Sequence, residues 1–147
     1  AEAILNERKL FSIGLGADCA GATALASLLH RGVLRERPSL PVVELAEHHI
    51  ESVGTGVDWA GQRIQALGQL GDVAFVFAAS LGEPEIQRLA VTLEQRQVRP
   101  IWVGNRGPGL SMTVVDENLE TRLTLNGALA ICLARLIDTH TFGPTGD

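Results

Sequence analysis

The sequence predicts an α/β domain, three-layered and Rossmann-like, with about five mostly parallel strands. Three observations carry that prediction. Short apolar runs alternate with stretches whose apolar residues recur at helical spacing. The run DVAFVFAA, Asp72–Ala79, is almost wholly apolar, as strands covered on both faces are. The first apolar run enters a glycine-containing turn, IGLGADCAG, that opens a helix of small residues.

In chain order, Leu10–Leu15 reads as a short buried strand. Ala20–His30 has helical spacing, and Gly32 suits its C-cap. Arg35–Ser39 is a polar turn, and Pro41–Leu45 is the second strand. Ala46–Gly56 reads as a polar loop, or as a loop with a helical turn. Asp58 then caps a helix that turns Trp59, Ile64, Leu67 and Leu70 inward. After Asp72–Ala79, a helix runs from about Pro84 to Arg96, with proline in its first turn and Ser80 or Glu83 as its cap. Arg99–Val103 is the fourth strand, Gly104–Ser111 a long turn, Met112–Val115 the fifth strand, and Leu123–Ile137 a mostly apolar helix. One domain over 1–147 accommodates all of this, with no internal repeat.

Composition narrows the partners. Hydrophobic residues make up 46% of the chain and charged residues 20%, which suits a packed core and excludes wholesale disorder. Net charge is −5, Lys9 is the one lysine, and the arginines are scattered, so nucleic acid is not the expected partner. No apolar stretch approaches the roughly 18–20 residues of a membrane span. Cys19 and Cys132 lack metal-ligand spacing, so a cytoplasmic protein with unpaired thiols is expected. The chain opens at Ala1 without a methionine, as a processed chain or a piece of a longer one does.

Parallel sheets of this kind bind ligands at the carboxyl ends of their strands, beside a switch in strand order. Gly14–Gly21, Ala79–Glu85 and Gly104–Ser111 converge there. Gly14 and Gly16 allow a tight turn, and the helix behind them points free N–H groups at an anion. The dinucleotide fingerprint wants a third glycine where Cys19 stands, Gly21 comes two residues late, and no Gly-Lys-Ser/Thr is present. Glu44, read at the end of the second strand, suits a ribose. The bland reading of the same residues is a tight strand-to-helix turn.

Three stretches together resemble the amino-terminal GTPase domain of the FtsZ/tubulin family: IGLGADCAGATAL, then GTGVDWAGQRIQALGQLGDVAFVFAASLGEPE, then QRQVRPIWVGN. The likeness covers about Ile13 to Asn105. It implies a site for GTP or GDP formed by Gly14, Gly16, Ala17, Asp18, Cys19, Ser80, Gly82, Asn105 and Arg106. The departures imply lost hydrolysis. The glycine-threonine run after the central strand is replaced by Ser80-Leu81-Gly82-Glu83-Pro84, and Asp18 and Glu83 bring negative charge towards the phosphates. This resemblance implies a nucleotide-binding-like module acting through protein–protein contacts, as a homo-oligomer or with another protein. The helix around Ala128–Leu136 either covers the sheet or pairs with a second copy.

The alternative is an enzyme or sensor for a small anionic metabolite or dinucleotide at the same edge, using Gly14–Gly21, Ser80 and Arg106, the last suited to a phosphate or carboxylate. A third possibility is a subunit folded only with its partner. His48-His49 beside Glu47 and Glu51 do not make a metal site, because adjacent histidines point apart. Cys19 at a helix N-terminus has the position of a nucleophile but no neighbouring base, and reads more simply as a packed thiol. Ser80 lacks the Gly-x-Ser-x-Gly elbow. Asp72 reads as a turn residue.

Overall fold

A computed structural model describes residues 1–47, 53–104, 107–112 and 118–145. The element order is α1 (Glu2–Leu5), β1 (Leu10–Leu15), a 3-10 turn (Gly16–Asp18), α2 (Cys19–Arg31), β2 (Val42–Glu47), α3 (Val53–Leu67), β3 (Val73–Phe77), α4 (Glu83–Gln95), β4 (Arg99–Val103), β5 (Leu110–Met112) and α5 (Leu119–Phe142). The five strands form one sheet in the order β2-β1-β3-β4-β5, and every neighbouring pair is parallel. The order reverses between β1 and β3, and that reversal is the switch point.

The two faces of the sheet carry separate cores. On one, Phe11, Ile13, Val76 and Trp102 pack against Ile64 of α3 and Ile86, Leu89 and Leu93 of α4. On the other, Leu10, Phe75, Phe77 and Val103 pack against Leu25 and Leu29 of α2 and Ala130, Ala134 and Ile137 of α5. Central strands β1 and β3 are therefore covered on both sides, which is why β3 reads as an unbroken apolar run and β1 is broken only by Gly14 and by Ser12, whose buried hydroxyl donates to the Ala22 carbonyl.

The structure differs from the expected elements where a helix starts earlier than its apolar pattern suggested. Helix α3 begins at Val53, so the helical turn within 46–56 is the first turn of α3, continuous with it, and Asp58 lies inside the helix rather than at its cap. Its inward stripe is Val57, Ala60 and Ile64, spaced three and four apart. Trp59 is half-buried, and Leu67 and Leu70 are 43% and 60% exposed rather than turned inward. Helix α5 begins at Leu119, capped by Asn118, whose side chain accepts from the N–H groups of Glu120 and Thr121. The α4 N-cap is Gly82, with no side-chain cap from Ser80 or Glu83. The fifth strand lies at Leu110–Met112, and 113–117 fall outside the described residues. Among the described residues, no helix is long and apolar enough to cross a membrane.

Candidate functional site at the carboxyl edge

The loops that leave β1 and β3 meet at the switch point. Gly14, the fifth residue of β1, is buried. A Cβ there would come within 2.7 Å of both Ala22 Cβ and the Asp18 carbonyl. Its glycine is thus required by the packing of α2 on β1. Gly16 differs: its φ is +60°, and a Cβ there would meet nothing within 4 Å. Its glycine serves the left-handed turn and leaves an open flank. Gly21 lets α2 close on its neighbours, since a Cβ there would sit 2.8 Å from the Phe77 ring and 3.1 Å from Asn126 Cβ.

Asp18 is the centre of the site. Its side chain turns inward and is fully buried. Oδ2 accepts the Ser80 backbone N–H at 2.8 Å, tying the β3 loop to the β1 loop. Oδ1 accepts from Asn126 Nδ2 at 3.3 Å and faces Arg122 Nε at 3.4 Å, tying both loops to α5. The Ser80 hydroxyl donates to the Leu15 carbonyl at 3.4 Å. Asp18 therefore does not project towards a phosphate, contrary to the sequence expectation. Its charge is spent on a clasp, and the cation of that clasp comes from α5.

The other expected residues are placed as follows. Ala17 is exposed beside Gly16, and Gly82 is exposed at the start of α4. Cys19 is buried as the first residue of α2, and burial pushes its thiol pKa up, the opposite of an activated nucleophile. Glu44 is not at the end of its strand. It pairs in register with Ser12, mid-strand and exposed, and accepts the Thr23 hydroxyl at 2.7 Å. Glu47 ends β2 instead. Gly104 follows β4 at the same edge, with φ +86° and a Cβ position 3.0 Å from Ala79 Cβ. Asn105, Arg106, His48 and His49 lie outside the described residues. Among the described residues, no group of three His, Cys, Asp or Glu side chains could hold a metal.

Arg122 and Asn126 were not singled out from the sequence. They sit some hundred positions from Asp18, and no local motif joins them. The available signal was a polar Asn, together with an Arg four residues before it, in the first half of a mostly apolar helix.

Similarity to known proteins points elsewhere than to a GTPase. No family model matches the chain. The chain is similar to phosphoheptose isomerases. That of Methylococcus capsulatus is 27% identical over 158 residues, covering 97% of this chain and 81% of the relative. That of Halorhodospira halophila is 27% identical over 161 residues, covering 99% and 81%. A phosphoheptose isomerase structure from Francisella tularensis superposes with a TM-score of 0.78 at 21% identity, over 94% of this chain and 80% of that one. The phosphoheptose isomerase GmhA from Neisseria gonorrhoeae gives 0.70 at 17%, over 93% and 79%. The fold is thereby a Rossmann-like three-layer α/β fold with an all-parallel sheet.

The FtsZ/tubulin resemblance, and with it the GTP-binding module, is overturned by these isomerase relatives. The physical reason is visible at the turn. Of the two glycines that suggested a phosphate cradle, Gly14 is needed for helix packing and Gly16 for a left-handed turn, and the late Gly21 is a packing glycine as well. The apolar β3 run is what any doubly covered strand shows. Neither feature is specific to a nucleotide.

Proposed function

We propose that the protein acts on a phosphorylated sugar as an isomerase of the phosphoheptose isomerase kind, with the sugar phosphate held at the carboxyl edge between β1 and β3. The observation that carries this is similarity to phosphoheptose isomerases over 97% of the chain and 81% of the relative. The site is compatible with it. Exposed backbone at Gly16, Ala17 and Gly82 lies beside Ser80 and the N-termini of α2 and α4. A sugar-phosphate ligand also keeps the expected small anionic partner and dispenses with the nucleotide.

A second reading is binding without turnover. Moving a proton between neighbouring sugar carbons needs a base and an acid within hydrogen-bond reach. Asp18, the buried carboxylate of the switch point, has both oxygens engaged. Incubation with a phosphorylated ketoheptose, followed by NMR, separates the readings. Interconversion of ketose and aldose is the expected result. Saturable binding with no interconversion supports the second reading, and neither binding nor interconversion overturns both.

The expected self-association fits α5. The side turned from α2 exposes Leu125, Ile131 and Leu136, with Ala128 and Cys132 between them and Arg135 as the charged residue of that stretch. Such a stripe suits a second copy of the chain.

A further inference from the structure

We infer that Arg122 is the anion ligand of the switch point, its guanidinium oriented by Asp18 to take the phosphate of the bound sugar. This rests on the sugar-phosphate reading above and names the residue that would recognise the charged group.

Arg122 lies in the first turns of α5, at the height where the β1 and β3 loops close against that helix. Its side chain is 18% exposed, so most of the stem is covered and the head reaches the edge of the clasp. The ion contact with Asp18 runs through Nε at 3.4 Å, and Nε has no hydrogen-bond partner among the described residues. Arginine–carboxylate pairs that bind strongly are short and frequently paired. Arg37 shows that arrangement here. Its Nε donates to Asp138 Oδ1 at 2.8 Å, Nη2 approaches the same oxygen at 2.7 Å, and Nη1 donates to the Leu29 carbonyl at 2.8 Å. Arg122 has none of these. It is a largely covered cation whose terminal nitrogens make no hydrogen bond among the described residues.

A second observation is independent of the arginine. Asn126, one turn further along α5, is 1% exposed, and its Nδ2 is committed to Asp18. Its Oδ1 is buried without a partner. Reversing the amide would set Oδ1 against the Asp18 carboxylate, so the orientation is fixed by charge. A donor cation with unused N–H groups and a buried acceptor without a donor thus flank one carboxylate. Buried polar groups are nearly always satisfied; a hydroxyl of the bound sugar supplies the donor that Asn126 Oδ1 lacks, and the phosphate takes the Nη groups of Arg122. Two planar N–H groups on one edge match the geometry of a phosphate better than an ammonium would. Asp18 is then a positioning residue: it holds Nε inward and so turns the Nη edge outward.

The test uses the full chain and two probes, inorganic phosphate and a phosphorylated ketoheptose, with binding read by calorimetry and turnover by NMR. Arg122→Ala is expected to weaken both probes at least tenfold. Arg122→Lys is expected to recover only part of the loss. Arg122→Ala combined with Asp18→Asn removes both charges and keeps the result readable where the single variant folds poorly. The KM for the sugar phosphate should rise far more than kcat falls, which a merely structural role would not produce. Unchanged affinity for both probes in Arg122→Ala overturns the inference and leaves the isomerase reading standing. Arg122-dependent phosphate binding without any heptose interconversion upholds the inference and removes the isomerase reading.

Discussion

The two ends of the central sheet each bury an aspartate, and the two are used differently. At the amino end, Asp72 accepts the backbone N–H of Lys9 at 3.1 Å and that of Gln69 at 2.9 Å, and pairs with Lys9 Nζ at 2.7 Å. Every partner is local to the turn that feeds β3 or to the adjoining start of β1. At the carboxyl end, Asp18 reaches α5, more than a hundred residues on, through contacts of 3.3 and 3.4 Å. The first arrangement is saturated and short, as a group kept for folding is. The second leaves a cation and an amide oxygen with capacity to spare. The comparison teaches that burial of a carboxylate does not reveal its use; the state of its partners does.

The amino end also carries a cavity of about 560 Å³, floored by Leu10, Val73, Phe75 and Ile101 and bordered by Arg8 and Arg99. Its size suits a small ligand. The carboxyl edge is still the better candidate site, because the strand order reverses there and the unpartnered Arg122 Nε and Asn126 Oδ1 flank one carboxylate there, whereas the unpartnered Arg35 Nε and Thr141 Oγ1 lie at the C-terminal end of α5.

The contrast can be broken most forcefully at the saturated end. Asp72→Ala strands two backbone N–H groups and the Lys9 ammonium, and should cost about 2–4 kcal/mol in urea melts while leaving phosphate affinity unchanged. Asp18→Asn keeps the shape and one acceptor. It should cost about 1 kcal/mol in the same melts but disturb phosphate binding, because Arg122 loses its orienting charge. If the two variants ranked the other way, the carboxyl end would be the structural one. On α5, Leu136→Glu should shift the protein towards monomer in sedimentation and lower its melting temperature only by the concentration-dependent part that association supplies, since Leu136 is 56% exposed within the chain. The exposed pair Arg88–Asp58, at 3.0 Å, supplies the baseline: Arg88→Ala should change stability by less than about 0.5 kcal/mol.

The smallest effect concerns the thiols. Cys132, exposed, should react with iodoacetamide much faster than buried Cys19. Burial raises the Cys19 pKa in the folded state, so its contribution is whole below the ordinary thiol value and is lost as pH rises through the raised one. The stability difference from Cys19→Ala should therefore shrink in alkaline melts. A difference independent of pH would mean that the thiol ionises equally in both states.

Much of the fold was legible because it depends on local pattern. The strands at Leu10–Leu15 and Arg99–Val103 have the boundaries their apolar runs announce, and Gly32 caps α2 with φ +84°. The start of α3 was not legible. Its first turn, Val53–Gly56, has glycines that read as loop, while the stripe that fixes it, Val57, Ala60 and Ile64, becomes visible only against the sheet. For the site, the sequence indicated the edge and its glycine loop, but read Asp18 as an exposed charge.

By itself, then, the sequence determined the alternation of strand and helix, the doubly covered central strands and the turn after β1. These follow from hydrophobic period and from backbone freedom, which act over a few residues. Only the tertiary structure decided which glycines serve packing, that Asp18 faces inward, and that Arg122 and Asn126 stand beside it. Those outcomes depend on how α5 crosses the switch point, and no short-range preference encodes a contact across more than a hundred residues of chain.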